Sequence, residues 1–186
     1  PEVLGTLEKR FLNDGLGEVI KYALIKDREL FDELKKVQGY EELLEKIEDI
    51  IYRCCCIKKH VVEADERDTG ERMILNFGHT IGHGIEKLQN YEGLSHGEAV
   101  SVGMYCITLN SENKGLTAAE TAKEIKLLLN KFQLPYEVQG IKKEDLLEAL
   151  AMDKKNIGKG MNLILLRDIG EAFIHKVSGK DIEKFI

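Results

Sequence analysis

Three of the five histidines, His79, His83 and His96, lie close together in the sequence, and neutral imidazoles are suitable ligands for Zn²⁺. His79 and His83 are four residues apart, which places them on one face of a helix. His96 belongs to the predicted first turn of the next helix, where backbone N–H groups point outward. Three protein ligands leave one coordination position for water or substrate. The alternative interpretation is two core histidines and one histidine at a helix start, because no HExxH glutamate lies between His79 and His83.

The glycines beside these histidines favour the metal site. Gly78, Gly82 and Gly84 each cost a helix about 1 kcal/mol relative to alanine. Glycines at such positions indicate that another backbone or a ligand approaches closely.

The segment before the histidines is charged and contains cations that an anionic substrate would need. Arg72 lies seven residues before His79, so the two share a face if one helix continues through both. Arginine is suited to bidentate recognition of a carboxylate or a phosphate. The alternative is a solvated surface turn with salt bridges. The charged residues are Lys58, Lys59, Asp65, Glu66, Arg67, Asp68, Glu71 and Arg72.

Two short segments also allow either a structural or a functional interpretation. Glu18 and Lys21 are three residues apart at a predicted helix start, where an ion pair and the helix dipole would explain both. The segment Asp153-Lys154-Lys155-Asn156 has the same ambiguity. The residues alone therefore indicate a candidate metal site with nearby cations in an enzyme domain.

The elements that position these residues are predicted to be mainly helical, because only two prolines occur and Glu, Lys and Leu are abundant. Ser95 with Glu98, and Thr117 with Glu120, have the spacing of capping boxes that begin helices. We expect a mainly α fold with a small β-hairpin. Periodicity and the capping signals predict helices over about 18–37, 40–60, 78–88, 95–110, 117–133 and 142–152. The segments 161–167 and 172–177 around Gly170 predict the two strands, and a last helix is expected from Asp181.

Composition excludes several classes of protein. The chain has 186 residues, 43% hydrophobic and 32% charged, which is typical of a globular domain. The net charge of −6 argues against a nucleic-acid partner, and no apolar run is long enough to span a membrane. Residues 1–8 lack the pattern of a secretory signal. The four cysteines, three of them consecutive, predict a reducing and hence cytoplasmic location.

Five motifs follow one another along the chain: Gly17-Glu18-Val-Ile-Lys21-Tyr22, Lys58-x-x-Val61-Val62-x-x-Asp65-Glu66, Arg72-x-x-x-Asn76-Phe-Gly-His79-Thr-Ile-Gly-His83-x-Ile-Glu86, His96-Gly-Glu98-Ala-Val and Asp153-Lys154-Lys155. Taken together, they resemble the 3-dehydroquinate synthase family over residues 1 to about 170. Gly17 stands where that family more usually has alanine, and Ala23 where it has glycine.

The resemblance implies a two-domain enzyme. Its N-terminal Rossmann-like domain binds NAD⁺, and its C-terminal helical domain holds the metal and most of the substrate contacts. Residues 1–186 are expected to be the C-terminal domain, because no Gly-rich strand–turn–helix fingerprint occurs in the chain. The N-terminal domain is then a partner absent from this chain, and the isolated chain should be inactive. Members of the family are commonly homodimers.

The resemblance also implies roles for individual residues. Glu18, His79 and His96 correspond to the ligands of Zn²⁺ (or Co²⁺), whereas His83 corresponds to a substrate contact near the departing phosphate. Asp68 falls where the family usually has glutamate near the active site. The other implied substrate-binding residues are Lys21, Lys58, Arg72, Asn76 and one of Lys154 and Lys155.

The implied reaction converts 3-deoxy-D-arabino-heptulosonate 7-phosphate into 3-dehydroquinate and phosphate in the shikimate pathway. NAD⁺ transiently oxidises the C5 hydroxyl, which acidifies the C6 proton so that phosphate can leave. Reduction, ring opening and aldol closure follow, while the metal acts as a Lewis acid. Cationic side chains would hold the substrate's carboxylate and phosphate.

Two alternatives remain open. A related sugar-phosphate cyclase, such as a 2-deoxy-scyllo-inosose synthase, would share the metal, NAD⁺ and phosphate elimination. Arg72 favours dehydroquinate chemistry over this alternative, because it would bind a carboxylate that the inosose precursor lacks. The second alternative is a non-catalytic helical binding module that keeps the motifs for packing.

Overall fold

The computed structural model describes residues 2–67, 70–152, 160–178 and 181–186, and it shows a helical domain with one β-hairpin. The expected mainly α fold with a hairpin is confirmed. The α-helices are α1 (Lys9–Lys26), α2 (Arg28–Lys36), α3 (Tyr40–Glu45), α4 (Ile47–Ala64), α5 (His79–Leu88), α6 (His96–Glu112), α7 (Thr121–Lys131) and α8 (Lys143–Met152). Strand β1 (Met161–Asp168) pairs antiparallel with β2 (Glu171–Val177), from Met161 opposite Val177 to Asp168 opposite Glu171.

Helix α6 lies at the centre of the core. Most of its residues between Gly97 and Ser111 are buried, as expected for a helix that other elements surround. It packs against α1, α5, α7 and the hairpin. Among the described helices, none combines the length and apolarity needed to cross a membrane.

Helices α5 and α6 begin where the sequence predicts. Gly78 has a φ of +78°, a left-handed conformation that favours glycine, and α5 follows directly with His79. At the start of α6, the Ser95 backbone N–H donates to Glu98 Oε2 at 2.8 Å. His79 and His96 are therefore each the first residue of a helix.

The glycines allow α1, α5 and α6 to approach one another backbone to backbone, as Gly78 and Gly82 predict, whereas Gly84 faces the Leu146 side chain. A Cβ atom on Gly103 would lie 2.1 Å from Gly78 O, and one on Gly97 would lie 2.0 Å from Asp14 O. A Cβ on Gly82 would lie 3.2 Å from backbone atoms of α6. Glycine lowers the helix propensity at these positions, but a side chain there would prevent the helices from packing so closely.

The first two predicted helices are each divided in the structure. The first also begins at Lys9 instead of near Glu18, so Glu18 and Lys21 lie inside α1 and the predicted helix start there is wrong. The Asp27 carboxylate accepts a hydrogen bond from the Leu30 N–H at 2.9 Å, which ends α1 and begins α2. Arg53 donates to the same carboxylate at 2.7 Å and holds it there. The second break lies at Lys46, between α3 and α4. Periodicity misses these breaks because the helices on both sides bury residues in one core.

The predicted start of the fifth helix at Thr117 is wrong. The Thr117 hydroxyl donates instead to Leu166 O of β1 at 2.7 Å, so tertiary structure engages it. The N-cap of α7 is Glu120. The Glu112 carboxylate caps the helix by accepting from the Glu120 N–H at 3.0 Å and the Ala122 N–H at 2.8 Å.

In two places the structure has a short 3₁₀ helix where the sequence suggested an α-helix. Residues Glu71–Asn76 form a 3₁₀ helix, and Phe77 and Gly78 separate it from α5. Arg72 and His79 therefore do not lie on one continuous helix. Their seven-residue spacing does not place them on a shared helix face. The expected helix from Asp181 is a single 3₁₀ turn over Ile182–Phe185, and another 3₁₀ helix covers Glu2–Thr6.

Candidate metal and substrate site

Three helices bring one carboxylate and two imidazoles together. Glu18 belongs to α1, whereas His79 and His96 are the first residues of α5 and α6. Glu18 Oε1 lies 3.6 Å from His79 Nε2 and 3.8 Å from His96 Nε2. One ligand atom from each residue lies within 4.8 Å of the other two. The close backbone packing at Gly97 and Gly82 makes this arrangement possible.

The carboxylate has an oxygen that the described residues leave without a hydrogen bond. Glu18 Oε1 is buried, and no partner among those residues satisfies it. The distances to the two imidazoles exceed the usual hydrogen-bond length of about 2.7–3.2 Å. Ligand atoms of a tetrahedral zinc site are about 3.4 Å apart when the metal bonds are 2.0–2.1 Å long. The spacing and the N,N,O donor set therefore fit a metal ion.

Hydrogen bonding and burial leave His79 in a form that is able to bind a metal. His79 Nδ1 lies 3.1 Å from Phe77 O, and because a carbonyl only accepts, Nδ1 carries the proton. The lone pair of the neutral ring is then on Nε2, which faces Glu18. Burial, followed by the charge of Lys21, lowers the pKa of His79 to about 4. The imidazole is thus neutral at neutral pH, which is the form that binds metals.

His96 has a different partner. Its Nδ1 lies 3.2 Å from Oε1 of Glu86, a buried side chain of α5. The sequence reasoning assigned no role to Glu86. Its position three residues after His83 places it on the histidine face of α5, but only the packing of α6 brings it to His96.

Lys21 lies against the carboxylate of the cluster. It is 3% exposed, and its Nζ donates to Glu18 Oε2 at 2.7 Å, so the predicted i,i+3 ion pair is present. Burial lowers the pKa of Lys21, Glu18 opposes that shift, and the charge of Lys58 adds to it. Glu18 therefore keeps a buried cation on one oxygen while the other oxygen faces the imidazoles.

A cavity of about 290 Å³ opens beside His79. Two of the predicted substrate-binding residues, Asn76 and His83, line it together with this candidate ligand. The opposite wall comes from α8 and β1, which the sequence reasoning did not connect with the site. The lining residues are Met73, Asn76, His79, Thr80, His83, Leu150, Asn162 and Ile164.

Two other predicted substrate-binding residues, Lys58 and Arg72, do not line this cavity. Lys58 is exposed on α4, and Arg72 donates from Nη1 to Glu66 O at 3.2 Å. Neither Lys58 nor Arg72 is among the described residues that line the cavity. Asp68, Lys154 and Lys155 lie outside the described residues.

The alternative His79–His83 metal pair competes with the cluster around Glu18. The two rings are in contact edge to face, with centroids 5.4 Å apart. In the described part of the chain, the ligand atoms of His83 converge with Glu86 and His96, whereas those of His79 converge with Glu18 and His96. The geometry thus separates His83 from the set that contains His79.

Comparisons with known proteins point to one family. The 3-dehydroquinate synthase C-terminal family model matches residues 15–156. The 3-dehydroquinate synthase of Clostridium acetobutylicum is 51% identical over 186 residues, 100% of this chain and 52% of that protein. That of Streptococcus sanguinis is 44% identical over 187 residues, 100% of this chain and 53% of that protein. The chain spans about half the length of these curated relatives.

Solved structures have the same fold. The 2-epi-5-epi-valiolone synthase of Streptomyces hygroscopicus, with NAD⁺ and Zn²⁺ bound, matches with a TM-score of 0.80 and 26% identity, over 98% of this chain and 52% of that one. A 2-deoxy-scyllo-inosose synthase with carbaglucose-6-phosphate, NAD⁺ and Co²⁺ matches with a TM-score of 0.76 and 22% identity, over 96% of this chain and 52% of that one. The second likeness supports the fold alone.

Proposed function

This chain belongs to the 3-dehydroquinate synthase C-terminal family, and from that premise we propose that it is the metal- and substrate-binding half of such an enzyme. The enzyme is a phosphate-eliminating carbon–oxygen lyase. It converts 3-deoxy-D-arabino-heptulosonate 7-phosphate into 3-dehydroquinate and phosphate, a step in aromatic amino acid biosynthesis. The observation that carries the proposal is Glu18 Oε1, which is buried without a hydrogen bond to any described residue and lies within 3.8 Å of two imidazole nitrogens.

The proposed cofactors are a divalent metal and NAD⁺. Glu18, His79 and His96 would hold Zn²⁺ or Co²⁺, which when bound supplies a Lewis acid beside the substrate hydroxyl. NAD⁺ is assigned to an N-terminal nucleotide-binding domain outside residues 1–186. Support comes from the solved valiolone synthase, whose structure contains NAD⁺ and Zn²⁺.

The chain's own side chains keep the ligand atoms oriented. Lys21 donates a hydrogen bond to Oε2 of Glu18, which leaves Oε1 for the metal. The Nδ1 hydrogen bonds of His79 and His96 direct their Nε2 lone pairs toward Glu18. A site held in this way needs little rearrangement when substrate arrives.

Substrate recognition is assigned to the cavity and to the cations near it. The cavity of about 290 Å³ is close to the lower limit for small-molecule sites. Asn76 and His83 would contact the substrate there, with His83 near the departing phosphate. A substrate with two anionic groups also requires positive charge. The proposed sources are Lys21, Lys58, Arg72 and one of Lys154 and Lys155, with Asp68 nearby.

A related sugar-phosphate cyclase is the second candidate function, favoured by the TM-score of 0.80 with a valiolone synthase. The distinction lies in the substrate carboxylate, which Arg72 is proposed to bind. In the full-length enzyme, Arg72→Gln should lower kcat/KM for the dehydroquinate precursor about 10- to 100-fold. Arg10→Gln, at an exposed position, should not change it. A higher kcat/KM for a sugar phosphate without a carboxylate would favour the second candidate.

Metal content tests the proposed ligand set and the non-catalytic alternative together. Elemental mass spectrometry of the purified chain should find one zinc, which Glu18→Ala, His79→Ala and His96→Ala remove. His83→Ala is the control and should keep the metal. Zinc loss in the control would favour the His79–His83 pair. Absence of zinc in every sample would favour a binding module that uses the motifs for packing.

A further inference from the structure

Glu86 is a carboxylate of α5 that belongs to the described site but has no place among the proposed ligands. It is 8% exposed, and buried carboxylates in proteins are normally paired. Its Oε1 lies 3.2 Å from His96 Nδ1. We propose that Glu86 is a positioning residue that holds His96 in the tautomer and orientation needed to bind the metal. The inference rests on the metal set proposed above.

The two histidine ligands are held in different ways. His79 Nδ1 donates to Phe77 O, a backbone atom two residues away, and its side chain is 13% exposed. The His96 side chain is 42% exposed, so packing restrains it less. The Nδ1 partner of His96 is a side chain from another helix. The orientation of His96 therefore depends on Glu86, whereas the orientation of His79 does not.

The hydrogen bond also selects the nitrogen that is free to bind a metal. A neutral imidazole carries one N–H and one lone pair, and an ionised carboxylate only accepts. The proton of His96 is then on Nδ1, and the lone pair on Nε2, which is 3.8 Å from Glu18 Oε1. Carboxylates behind metal-binding histidines have this effect in general, and they raise the basicity of the ligand. Without Glu86, the proton of His96 could occupy Nε2 and block the metal.

Glu86 could instead be a ligand, since His83, Glu86 and His96 also converge. The His96 nitrogen beside Glu86 is Nδ1, at 3.2 Å, so an ion bound between them would replace that hydrogen bond. It would also leave Glu18 Oε1 buried with no partner among the described residues. The set Glu18, His79 and His96, with Glu86 behind it, satisfies both carboxylates, so the geometry favours the positioning role.

The test compares Glu86→Ala and Glu86→Gln with Glu98→Ala. Glu98 accepts a hydrogen bond from Ser95 N at the start of α6, so its variant disturbs the same helix end without touching the His96 ring. Zinc dissociation constants come from competition with a chelator. The His96 tautomer in the metal-free chain comes from ¹⁵N NMR of the histidine side chains. Denaturant unfolding shows whether each variant is folded.

We expect Glu86→Ala to raise the zinc Kd about 10- to 100-fold and to shift His96 toward the Nε2–H tautomer. Glu86→Gln should rescue the tautomer, because its amide oxygen still accepts, and should raise the Kd less. Glu98→Ala should lower stability but leave both readouts unchanged. A purely structural role for Glu86 would change stability alone.

Two results would overturn the inference. One is an unchanged Kd and tautomer in folded Glu86→Ala. The other is a second zinc per chain that only the Glu86 variants lose, which would make Glu86 a ligand. If the proposed function itself were wrong, the result would differ from both of these. The unmodified chain would then bind no zinc, while the tautomer of metal-free His96 would still report whether Glu86 controls that ring.

Discussion

Glu18 gives its two carboxylate oxygens to different partners. Oε2 accepts from the buried Lys21 ammonium at 2.7 Å, and Oε1 faces His79 and His96. The sequence offered an ion pair and a metal ligand as competing interpretations of this residue. At the residue scale the two are compatible, because one oxygen serves each purpose. The cation beside Glu18 also offsets its negative charge when no metal is present.

Replacement of Lys21 by methionine should therefore weaken the metal-free chain. The change leaves Glu18 Oε2 without its partner, and we expect the free energy of unfolding to fall by about 1–3 kcal/mol. Zinc should recover more stability in Lys21→Met than in the unmodified chain, because it neutralises a carboxylate that has lost its cation. Denaturant unfolding with zinc and with a chelator measures both effects.

Lys35→Met is the matched control. Lys35 pairs with Glu124 at 2.8 Å on the surface, with 43% of its side chain exposed. Its removal should change the free energy of unfolding by less than about 0.5 kcal/mol, with no dependence on zinc. Equal effects of the two substitutions would show that the Lys21–Glu18 pair is no more important than a surface pair.

At the scale of elements, the site depends on how closely α1, α5 and α6 pack. Gly103 of α6 faces Gly78 O, and Gly97 faces Asp14 O of α1, at distances that allow no side chain. Gly17 has the same character, since a Cβ there would lie 2.6 Å from Gly97 O. Here α1 and α6 are thus close enough to require glycine.

Gly103→Ala should destabilise the chain in spite of the better helix propensity of alanine. The new methyl group would lie 2.1 Å from a backbone oxygen that cannot rotate away. Overpacking of this kind typically costs about 1–3 kcal/mol, which exceeds the propensity gain of about 1 kcal/mol. Denaturant unfolding measures the balance, and zinc affinity should decline with it.

The Gly15→Ala variant shows the effect of helix propensity on stability without a packing clash. Gly15 lies within α1, and a Cβ there would meet no atom within 4 Å. Propensity alone should act, so this variant should gain up to about 1 kcal/mol. If both substitutions stabilised the chain, the close approach of α5 and α6 would be refuted.

At the scale of the whole molecule, the candidate ligands connect three helices that are distant in sequence. An ion bound by Glu18, His79 and His96 would link α1 to α5 and α6. Ligands that bind only the folded state stabilise it by mass action. Metal binding and folding should therefore be coupled in this chain.

Zinc at 100 times its Kd should raise the free energy of unfolding by about 2.7 kcal/mol. The gain should disappear in Glu18→Ala and persist in His175→Ala, which changes a histidine of β2 outside the cluster. Unfolding curves at several zinc concentrations test this. A gain that persists in Glu18→Ala would place the bound zinc elsewhere.

The isolated chain should not catalyse the proposed reaction. The transient oxidation needs NAD⁺, which is assigned to a domain outside residues 1–186. Incubation with the phosphorylated substrate, NAD⁺ and Zn²⁺ should release no phosphate above background, while a full-length relative in the same assay should. Steady formation of 3-dehydroquinate by this chain alone would contradict the proposed division of labour.

Local patterns determined a large part of the fold. The helix starts at His79 and His96 follow Gly78 and the Ser95–Glu98 spacing, and two short segments on either side of Gly170 predicted the hairpin. Such signals act within a few residues, so a sequence can display them directly. They failed at Thr117, because its hydroxyl bonds to β1 instead of capping a helix.

The sequence by itself thus determined the residue types available for a metal site, and its motifs indicated the family. Only tertiary structure decided which atoms converge. It brought Glu18 to two histidines far along the chain, turned His83 toward the cavity, and placed Glu86 behind His96. The physical reason is that these contacts depend on the packing of α1, α5 and α6, and periodicity within one helix contains no information about the distance to the next.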